Sequence, residues 1–385
     1  MSEYLQIDDH LWDQLIELTN GEVALCYQCG TCTAICPWGL VKCETISVRE
    51  LIRHAQLGIE TDDDKNIWLC TSCAQCEAYC PRGVNITAVF RALRSVAWER
   101  NQAQNRLPSL LWSVFWNNNP WEQPPSQRAF WARSLNLPLF DPQKHEILYY
   151  IGCTTSYDRR AQKIAVALVQ LFSAAGVQFG VLGDDEPCSG EEVLSVGHKP
   201  FFEEIAQRTE KIFQEKGIAK LVTTSPHAYD VFKNHYLNNH SFTPLHYTQY
   251  LVELIDENRL TFTNSLRYKV TYQDPCYLAR HNKEIIEPRR ILKALPGVEF
   301  IEMENHGADT FCCGGGGGRM WSETPLEERF GRLRVQQAVD TGADVLVTAC
   351  PYCISCLEDG IRAQDAHNLI VMDLAELAVL AISSH

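Results

Sequence analysis

No apolar run in this sequence approaches the length of a membrane span, which takes about 20 residues. There is no basic excess either. Lys and Arg number 34 against 48 Asp and Glu, a net charge of −14, so nucleic acid and anionic membrane surfaces are poor partners. The segment Met1 to His10 carries no basic stretch leading into an apolar core, and no secretory leader is expected. The glycine run Gly314 to Gly318 lacks the Gly-Lys-Ser/Thr ending that reaches phosphates and magnesium, which excludes a nucleotide loop. What is abundant is cysteine, 17 residues in a chain of 385. In a small secreted domain they would suggest disulfides. In a chain long enough for two or three domains, and grouped as Cys-x-x-Cys, they point to metal or cluster ligation in a reducing cytoplasm.

The sequence is organised around Phe311 to Gly318. The adjacent Cys312 and Cys313 cannot bond to each other without a strained ring, so they have another use. The glycines behind them lack Cβ atoms and let the backbone close around a bulky group. The nearest other cysteines are Cys276 on one side and Cys350 and Cys353 on the other. Thiols arriving from short, separate segments read as an iron–sulfur site.

A second cysteine system occupies the first block, from about Leu5 to Asn105. It runs Cys26-x2-Cys29-x2-Cys32-x3-Cys36-Pro37 and returns as Cys70-x2-Cys73-x2-Cys76-x3-Cys80-Pro81. This is the spacing of bacterial two-cluster ferredoxins, in which the fourth cysteine ligates the other cluster. Thiolates on one tight loop cap part of a cube, and the last must come from another direction. Cys26, Cys29, Cys32 and Cys80 are therefore assigned to one [4Fe–4S] cubane, and Cys70, Cys73, Cys76 and Cys36 to the other. Zinc sites use pairs of Cys-x-x-Cys and have no need of the Cys-Pro. Helical faces are expected from Val48, Leu51, Ile52 and Ala55, and from Ile86, Val89, Phe90, Leu93 and Ala97 after an Asn85 cap. The block resembles the helix-rich modules of succinate dehydrogenase and heterodisulfide reductase.

Between Leu107 and Pro142 the chain is dense in Trp and Pro, with Trp112, Trp116, Trp121 and Trp131 among Pro120, Pro124 and Pro125. Two readings stand: an ordered strap that buries its aromatics, or a docking surface for a partner. From His145 onward strand and helix alternate. Strands are expected at Ile147 to Ile151, Val177 to Leu182, Lys220 to Thr224, Tyr268 to Tyr272, Val298 to Glu302 and Ala343 to Thr348. The spacing repeats. Cys153 to Cys188 is 35 positions and Cys276 to Cys312 is 36, while Ser189 to Ser225 is 36 and Cys313 to Cys350 is 37. An internal duplication of α/β units with mostly parallel sheets follows, with ligands expected beyond the carboxyl ends of the strands.

The segments Asp274-Pro-Cys-Tyr-Leu-Ala-Arg-His281, Cys312-Cys-Gly-Gly-Gly-Gly-Gly-Arg-Met-Trp321 and Ala349-Cys-Pro-Tyr-Cys353 resemble the CCG-domain family. Its namesake is the disulfide-reducing subunit of heterodisulfide reductase. The resemblance implies a non-cubane [4Fe–4S] cluster held by Cys276, Cys312, Cys313, Cys350 and Cys353, the catalytic set. The sequence also resembles the fused iron–sulfur subunits that work with flavoproteins and acyl-CoA enzymes. That group includes membrane-bound flavoprotein–quinone oxidoreductases and the soluble subunit of the ATP-independent benzoyl-CoA reductase complex. The first half departs from the pattern, reading Cys188-Ser189 and Ser225-Pro226-His227-Ala228 where the cysteines belong. Only one non-cubane cluster is therefore expected. Cys153 and Cys188, with His227, are either a zinc or substrate site or remnants, and Cys43 and Cys356 read as ordinary packed residues. His281 and His306 have packing or a hydrogen bond to a cluster sulfur as their two readings. Arg280 and Arg319 are candidates to offset cluster charge.

The fold class expected is α+β overall. A helix-rich two-cluster ferredoxin domain over 1–105 and a Trp/Pro-rich strap over 106–142 precede a duplicated α/β CCG domain. Its degenerate half spans 143–262 and its intact half 263–385. The resemblance implies an iron–sulfur electron-transfer subunit of a heterodisulfide-reductase-like oxidoreductase complex. Electrons would pass between the two cubanes and the non-cubane cluster. The alternative is a non-catalytic redox relay joining a flavoprotein, of electron-transferring or bifurcating type, to an acyl-CoA-type reductase. A flavoprotein or other redox subunits are the expected partners in the cytoplasm, without nucleic acid and without a membrane span in this chain.

Overall fold

The computed structural model describes residues 9–41, 46–59, 66–104, 106–236 and 241–382. Cys43 lies outside the described residues. The fold is α+β, and the chain divides into two compact units that do not follow sequence order. One comprises Met1–Ser109, Glu192–Phe202 and Gly314–Phe330, and the other Leu110–Glu191, Glu203–Cys313 and Gly331–His385.

The first unit is helical. Its helix Val48–Gln56 begins on Ser47, whose hydroxyl accepts the Glu50 N–H at 3.3 Å, and buries Val48, Leu51, Ile52 and Ala55. The helix Ile86–Glu99 begins on Asn85, whose Oδ1 accepts the Ala88 N–H at 3.0 Å. These caps satisfy N–H groups that the first turn leaves unpaired. The second helix is buried more widely than its pattern implies. Ala92, Arg94 and Val96 are buried too, while Leu93 is only half-buried. The cause is chain from far along the sequence. Trp98 Nε1 donates to Val196 O at 2.8 Å, and a Cβ on Gly197 would fall 2.6 Å from Arg94 Cβ.

The second unit holds the duplication. Strands β1 (Ile147–Tyr150), β2 (Phe179–Gly180), β3 (Lys220–Thr223) and β4 (Thr243–His246) form one sheet in the order β2-β1-β3-β4. Strands β5 (Lys269–Gln273), β6 (Glu299–Phe300), β7 (Val345–Thr348) and β8 (Ile370–Asp373) form another in the order β6-β5-β7-β8. Every pairing is parallel, so one topology occurs twice. β4 and β8 are additions to the sequence reading. Pro244 disguises β4 as a turn, yet proline is tolerated there because β4 is an edge strand. β4 and β8 each run into a matching capping box, His246 with Gln249 and Asp373 with Glu376. The halves exchange helices symmetrically. Gln162–Ala174 of the first packs on Leu374–Leu380 of the second, and Ile286–Ala294 of the second packs on Tyr247–Asp256 of the first.

The Trp/Pro segment is ordered, with a helix Leu107–Asn117 and 3-10 turns at Pro125–Gln127 and Phe130–Leu135. Its burial falls on Leu110, Val114, Asn119, Arg128 and Ala132. Four large aromatics lie outside, Trp112, Phe115, Trp116 and Phe130 being 60%, 53%, 71% and 61% exposed, while Trp121 and Trp131 are half-buried.

Candidate iron–sulfur sites

In the first unit the two cysteine loops wind alike. Gln28 and Gly30 take left-handed φ of 69° and 86°, and Ser72 and Ala74 repeat it at 51° and 57°. The pairs stand at the same offsets from Cys26 and Cys70. Three of these residues are not glycine, and holding side chains in that region costs about 1–3 kcal/mol each unless the loop is fixed around something. Cys26, Cys29, Cys32 and Cys80 line one cavity. Thr31 Oγ1 lies 3.4 Å from Cys29 Sγ, and this hydrogen bond holds the exposed Cys29 thiol below its usual range. Gln28 Nε2 donates to Cys26 Sγ at 3.6 Å, and the Val84 N–H to Cys80 Sγ at 3.4 Å.

The other loop is drier. Burial pushes the Cys70 thiol up to about 11 and the Cys36 thiol up to about 12, and the negative charges of Cys73 and Cys70 add to the rise at Cys36. Burial raises Cys76 as well, with Cys73, Cys70, Glu77 and Cys36 adding to it. Cys36 thus feels the charges of Cys73 and Cys70 of the second loop, and that of Cys32 of its own. Buried thiols of this kind lose their protons readily only to a metal.

The glycine run behaves differently from its expected use. Gly317, at φ +62°, brings its backbone so close to the Cys70 loop that a Cβ would fall 2.2 Å from Cys70 O. Gly314, also left-handed, meets the Phe330 ring in the same unit. The missing Cβ atoms therefore serve an approach to the ferredoxin loop. Arg319 stays in this unit too, its guanidinium 5.5 Å from the Trp38 ring and donating to Thr324 Oγ1 at 2.7 Å.

In the second unit β5 and β7 are neighbours, with Gln273 opposite Thr348. Cys276 follows the end of β5 and Cys350 the end of β7, so both thiols stand at the carboxyl edge of the sheet. The loop bearing Cys312 and Cys313 is fastened beside them. Gln273 Nε2 donates to Phe311 O at 3.1 Å, Thr310 Oγ1 to Asp274 O at 3.3 Å, and Arg280 Nη1 to Thr310 O at 2.6 Å. Asp274 is itself held by Arg289 at 2.7 and 2.9 Å and by the Gly307 N–H at 2.7 Å. Cys276, Cys312, Cys313, Cys350 and Cys353 are all buried, and Cys353 Sγ lies 3.3 Å from Cys313 Sγ. Hydrogen bonds with Cys313 and Cys350 raise the Cys353 thiol well above its ordinary value.

The residue that sequence reasoning misplaced is His227. It belongs to the degenerate half, yet Cys350 of the intact one is among the groups that shift its imidazole. Its Nδ1 is 3.2 Å from Glu191 Oε1, and its ring stacks on Tyr277 at 3.9 Å and meets Tyr352 at 4.7 Å. Tyr277 Oη donates to the same Glu191 oxygen at 3.1 Å. Burial works against the imidazolium, but Glu191 and Cys350 outweigh it and hold His227 well above its ordinary pKa. At Cys350 burial works against the thiolate, and hydrogen bonds from Cys353 and His227 bring the thiol down to about 5. Glu191 was not singled out from the sequence. The signal was its place three residues after Cys188, where the intact half has glycine.

The degenerate half's own site is filled by protein. Arg128, from the Trp/Pro segment, donates to Cys153 Sγ at 3.4 Å and pairs with Glu186 at 2.9 Å, both side chains being about 2% exposed or less. Glu186 also accepts the N–H groups of Ile151 and Gly152 at 2.8 and 2.9 Å. Asn118 of the same segment accepts the Cys188 N–H at 3.1 Å. His227 faces Glu191 rather than Cys153 and Cys188; among the described residues no three His, Cys, Asp or Glu stand close enough to share one ion, at these residues or at the other cysteines above. His281 and His306 each have a neighbour within the intact half. The first stacks on Tyr277 at 4.3 Å and the second meets Met303 O at 2.8 Å.

Comparison with known proteins agrees with this geometry. The Cysteine-rich domain (CCG) family matches residues 147–231 and 270–358, and the 4Fe-4S dicluster domain family matches 22–84. The chain is 30% identical over 289 residues to a subunit of the dihydromethanophenazine:CoB–CoM heterodisulfide reductase of Methanosarcina acetivorans, covering 72% of this chain and 69% of that protein. This chain belongs to the CCG family. Within it, the probable iron-sulfur-binding oxidoreductase FadF of Bacillus subtilis is 35% identical across 70% of this chain and 40% of its own length. The EtfAB:quinone oxidoreductase of Syntrophomonas wolfei is 35% identical across 68% of this chain and 38% of its own length. This CCG-family chain thus spans about two fifths of those two relatives. No helix among its described residues is long and apolar enough to cross a membrane.

Proposed function

We propose that this chain is the iron–sulfur electron-transfer subunit of a heterodisulfide-reductase-type oxidoreductase complex, working in the reducing cytoplasm. Cys26, Cys29, Cys32 and Cys80 would hold one cubane, and Cys70, Cys73, Cys76 and Cys36 the other. Cys276, Cys312, Cys313, Cys350 and Cys353 would hold a non-cubane cluster. Bound there, iron–sulfur groups supply one-electron transfer and affinity for thiolate. What supports the reading is that five buried cysteines lie on the segments after β5 and β7 and on the loop fastened beside them, with Cys313 and Cys353 in sulfur contact. The protein's own part at this site is to exclude water and to present the His227 N–H to Cys350 Sγ, with Glu191 orienting the ring.

A second reading is a redox relay without a small substrate of its own. One observation supports it: in the degenerate half the buried Arg128–Glu186 pair stands against Cys153, where a second cluster would need room. The quinone oxidoreductase relative is named for a flavoprotein donor, EtfAB, which supports a flavoprotein as the neighbour here. Turnover of a disulfide by the isolated chain with a chemical electron donor separates the two. Reduction to two thiols supports the first reading. Electron transfer only beside a flavoprotein partner retires it in favour of the relay.

A further inference from the structure

The helix Val48–Gln56 of the first unit buries Val48, Leu51, Ile52 and Ala55 and turns a second side to the Cys26 loop. Arg49, Arg53 and Gln56 are spaced so as to share that side. The Arg49 N–H donates to Thr33 Oγ1 at 2.9 Å, and a Cβ on Gly30 would come 3.5 Å from Arg49 Cδ. Gln56 Nε2 donates to Cys26 O at 3.1 Å, and its Oε1 accepts from Gln28 Nε2 at 3.0 Å. The edge that bears the guanidiniums is thereby fastened beside Cys26. Arg82 reaches the same place from the other cysteine loop, and with Arg49 it lines the cavity shared by Cys26, Cys29, Cys32 and Cys80.

Here the first unit opens to solvent. Cys29 is exposed, whereas Cys36, Cys70, Cys73 and Cys76 are half-buried or buried. Arg49, Arg53 and Arg82 are exposed as well. Tyr27 and Leu57, 59% and 42% exposed, line the adjoining groove with Arg53 and His54. Glu50, the carboxylate in that lining, lies 3.8 Å from His54 Nε2. Apolar groups ringed by polar ones are the anatomy of a protein interface, and here they adjoin the exposed thiol of the proposed cubane. Charge selects the occupant. The chain carries −14 overall, so a basic partner is drawn to many faces and to none in particular. An acidic one meets grouped cations on this face. Salt screens charges beyond about 10 Å at 0.1 M, so the local arginines outweigh the distant net charge once the two surfaces are close.

We propose that the face formed by Tyr27, Arg49, Arg53 and Arg82 docks an electron-carrier protein with an acidic surface, which exchanges single electrons with the cubane held by Cys26, Cys29, Cys32 and Cys80. One electron moves between carrier and cluster, and no bond is made or broken. The inference rests on the cubane reading of these cysteines, and separate readouts of binding and of electron transfer keep the two apart.

The test is anaerobic and uses the full chain, with a small [4Fe–4S] ferredoxin of net negative charge as the probe. Calorimetry gives its affinity, and stopped flow gives the rate at which its reduced form reduces the chain, each at low and high salt. For the wild type both fall as salt rises. In R49E/R53E the rate at low salt falls at least about tenfold with iron content unchanged, and the two proteins converge at high salt. R53E/R82E, which leaves Arg49 against the Cys26 loop, behaves alike and decides if the first variant loses its iron. Affinity and rate unchanged in an iron-loaded variant overturn the proposal. That result would also follow if the acidic run Glu60 to Asp64, outside the described residues, silenced the face. A wild type that binds the probe through these arginines yet holds no cubane iron refutes the cubane reading and leaves the docking face standing. Both cubanes present without salt-sensitive binding refutes the docking face alone.

Discussion

Replacing Arg128 with methionine tests how the degenerate half is held shut. The Arg128–Glu186 pair is almost fully buried, and Arg128 reaches Cys153 Sγ as well. Removing one partner of such a pair leaves the other charge stranded, at about 3–5 kcal/mol. Glu186 keeps the N–H groups of Ile151 and Gly152, which softens the loss and puts the expected value near the lower end, about 3 kcal/mol. The assay is anaerobic urea unfolding of the iron-loaded protein, read from the transition midpoint at constant slope. Adding E186Q to R128M removes the stranded charge and keeps an acceptor for one of the two N–H groups, the other then meeting the amide NH2, so the double variant regains part of what R128M loses. The reasoning is refuted if R128M alone costs less than about 1 kcal/mol, the value of an exposed pair, or if E186Q adds its full cost instead of restoring stability.

Three further outcomes follow from the geometry. Gly317→Ala places a Cβ 2.2 Å from Cys70 O in a left-handed conformation that itself costs about 1–2 kcal/mol, so the Cys70 loop must move. Iron analysis should show about four fewer atoms per chain than the wild type's roughly twelve, one cubane's worth, and full iron would contradict the close approach. His227→Ala removes the imidazole whose charge acts on Cys350 and should alter the EPR signal of the third cluster without changing those of the cubanes, an unchanged signal placing His227 outside that site. Burial holds the Asp373 carboxyl up at about 8 despite the Tyr247 hydrogen bond at 2.6 Å. Its folded pKa lies above the unfolded one, so folding takes up a proton and stability is lost as pH rises from about 4 to 8, by up to about 1.4 kcal/mol per unit. Asp373→Asn, still a good cap, should therefore gain on the wild type in urea midpoint from pH 6 to pH 8, and a parallel pH dependence would refute the assignment.

Cysteine spacing carried most of what was legible, because cluster ligation constrains sequence more tightly than packing does. The duplication was visible in the intervals between Cys153, Cys188, Cys276 and Cys312, and the same parallel topology appears in both halves. β4 was hidden because Pro244 reads as a turn unless the strand is known to lie at an edge. The use of Gly317 was hidden for a different reason. A glycine declares only that something comes close, and the Cys70 carbonyl lies 247 positions away in sequence. His227 was read with its own half because matched positions suggest matched duties. Its ring instead crosses to Cys350, a pairing that follows from how the halves exchange faces and leaves no periodic trace. Arg128 was equally silent: nothing in a segment rich in Trp and Pro marks its arginine, and not its aromatics, as the buried residue.

The most direct measurement is the oxidised-state EPR spectrum and iron content of anaerobically purified Cys312→Ser beside the wild type. Loss of the non-cubane signal, with both cubane signals retained on reduction, is the result expected if the buried thiols after β5 and β7 hold a third cluster. A spectrum and iron content identical to the wild type's would contradict it.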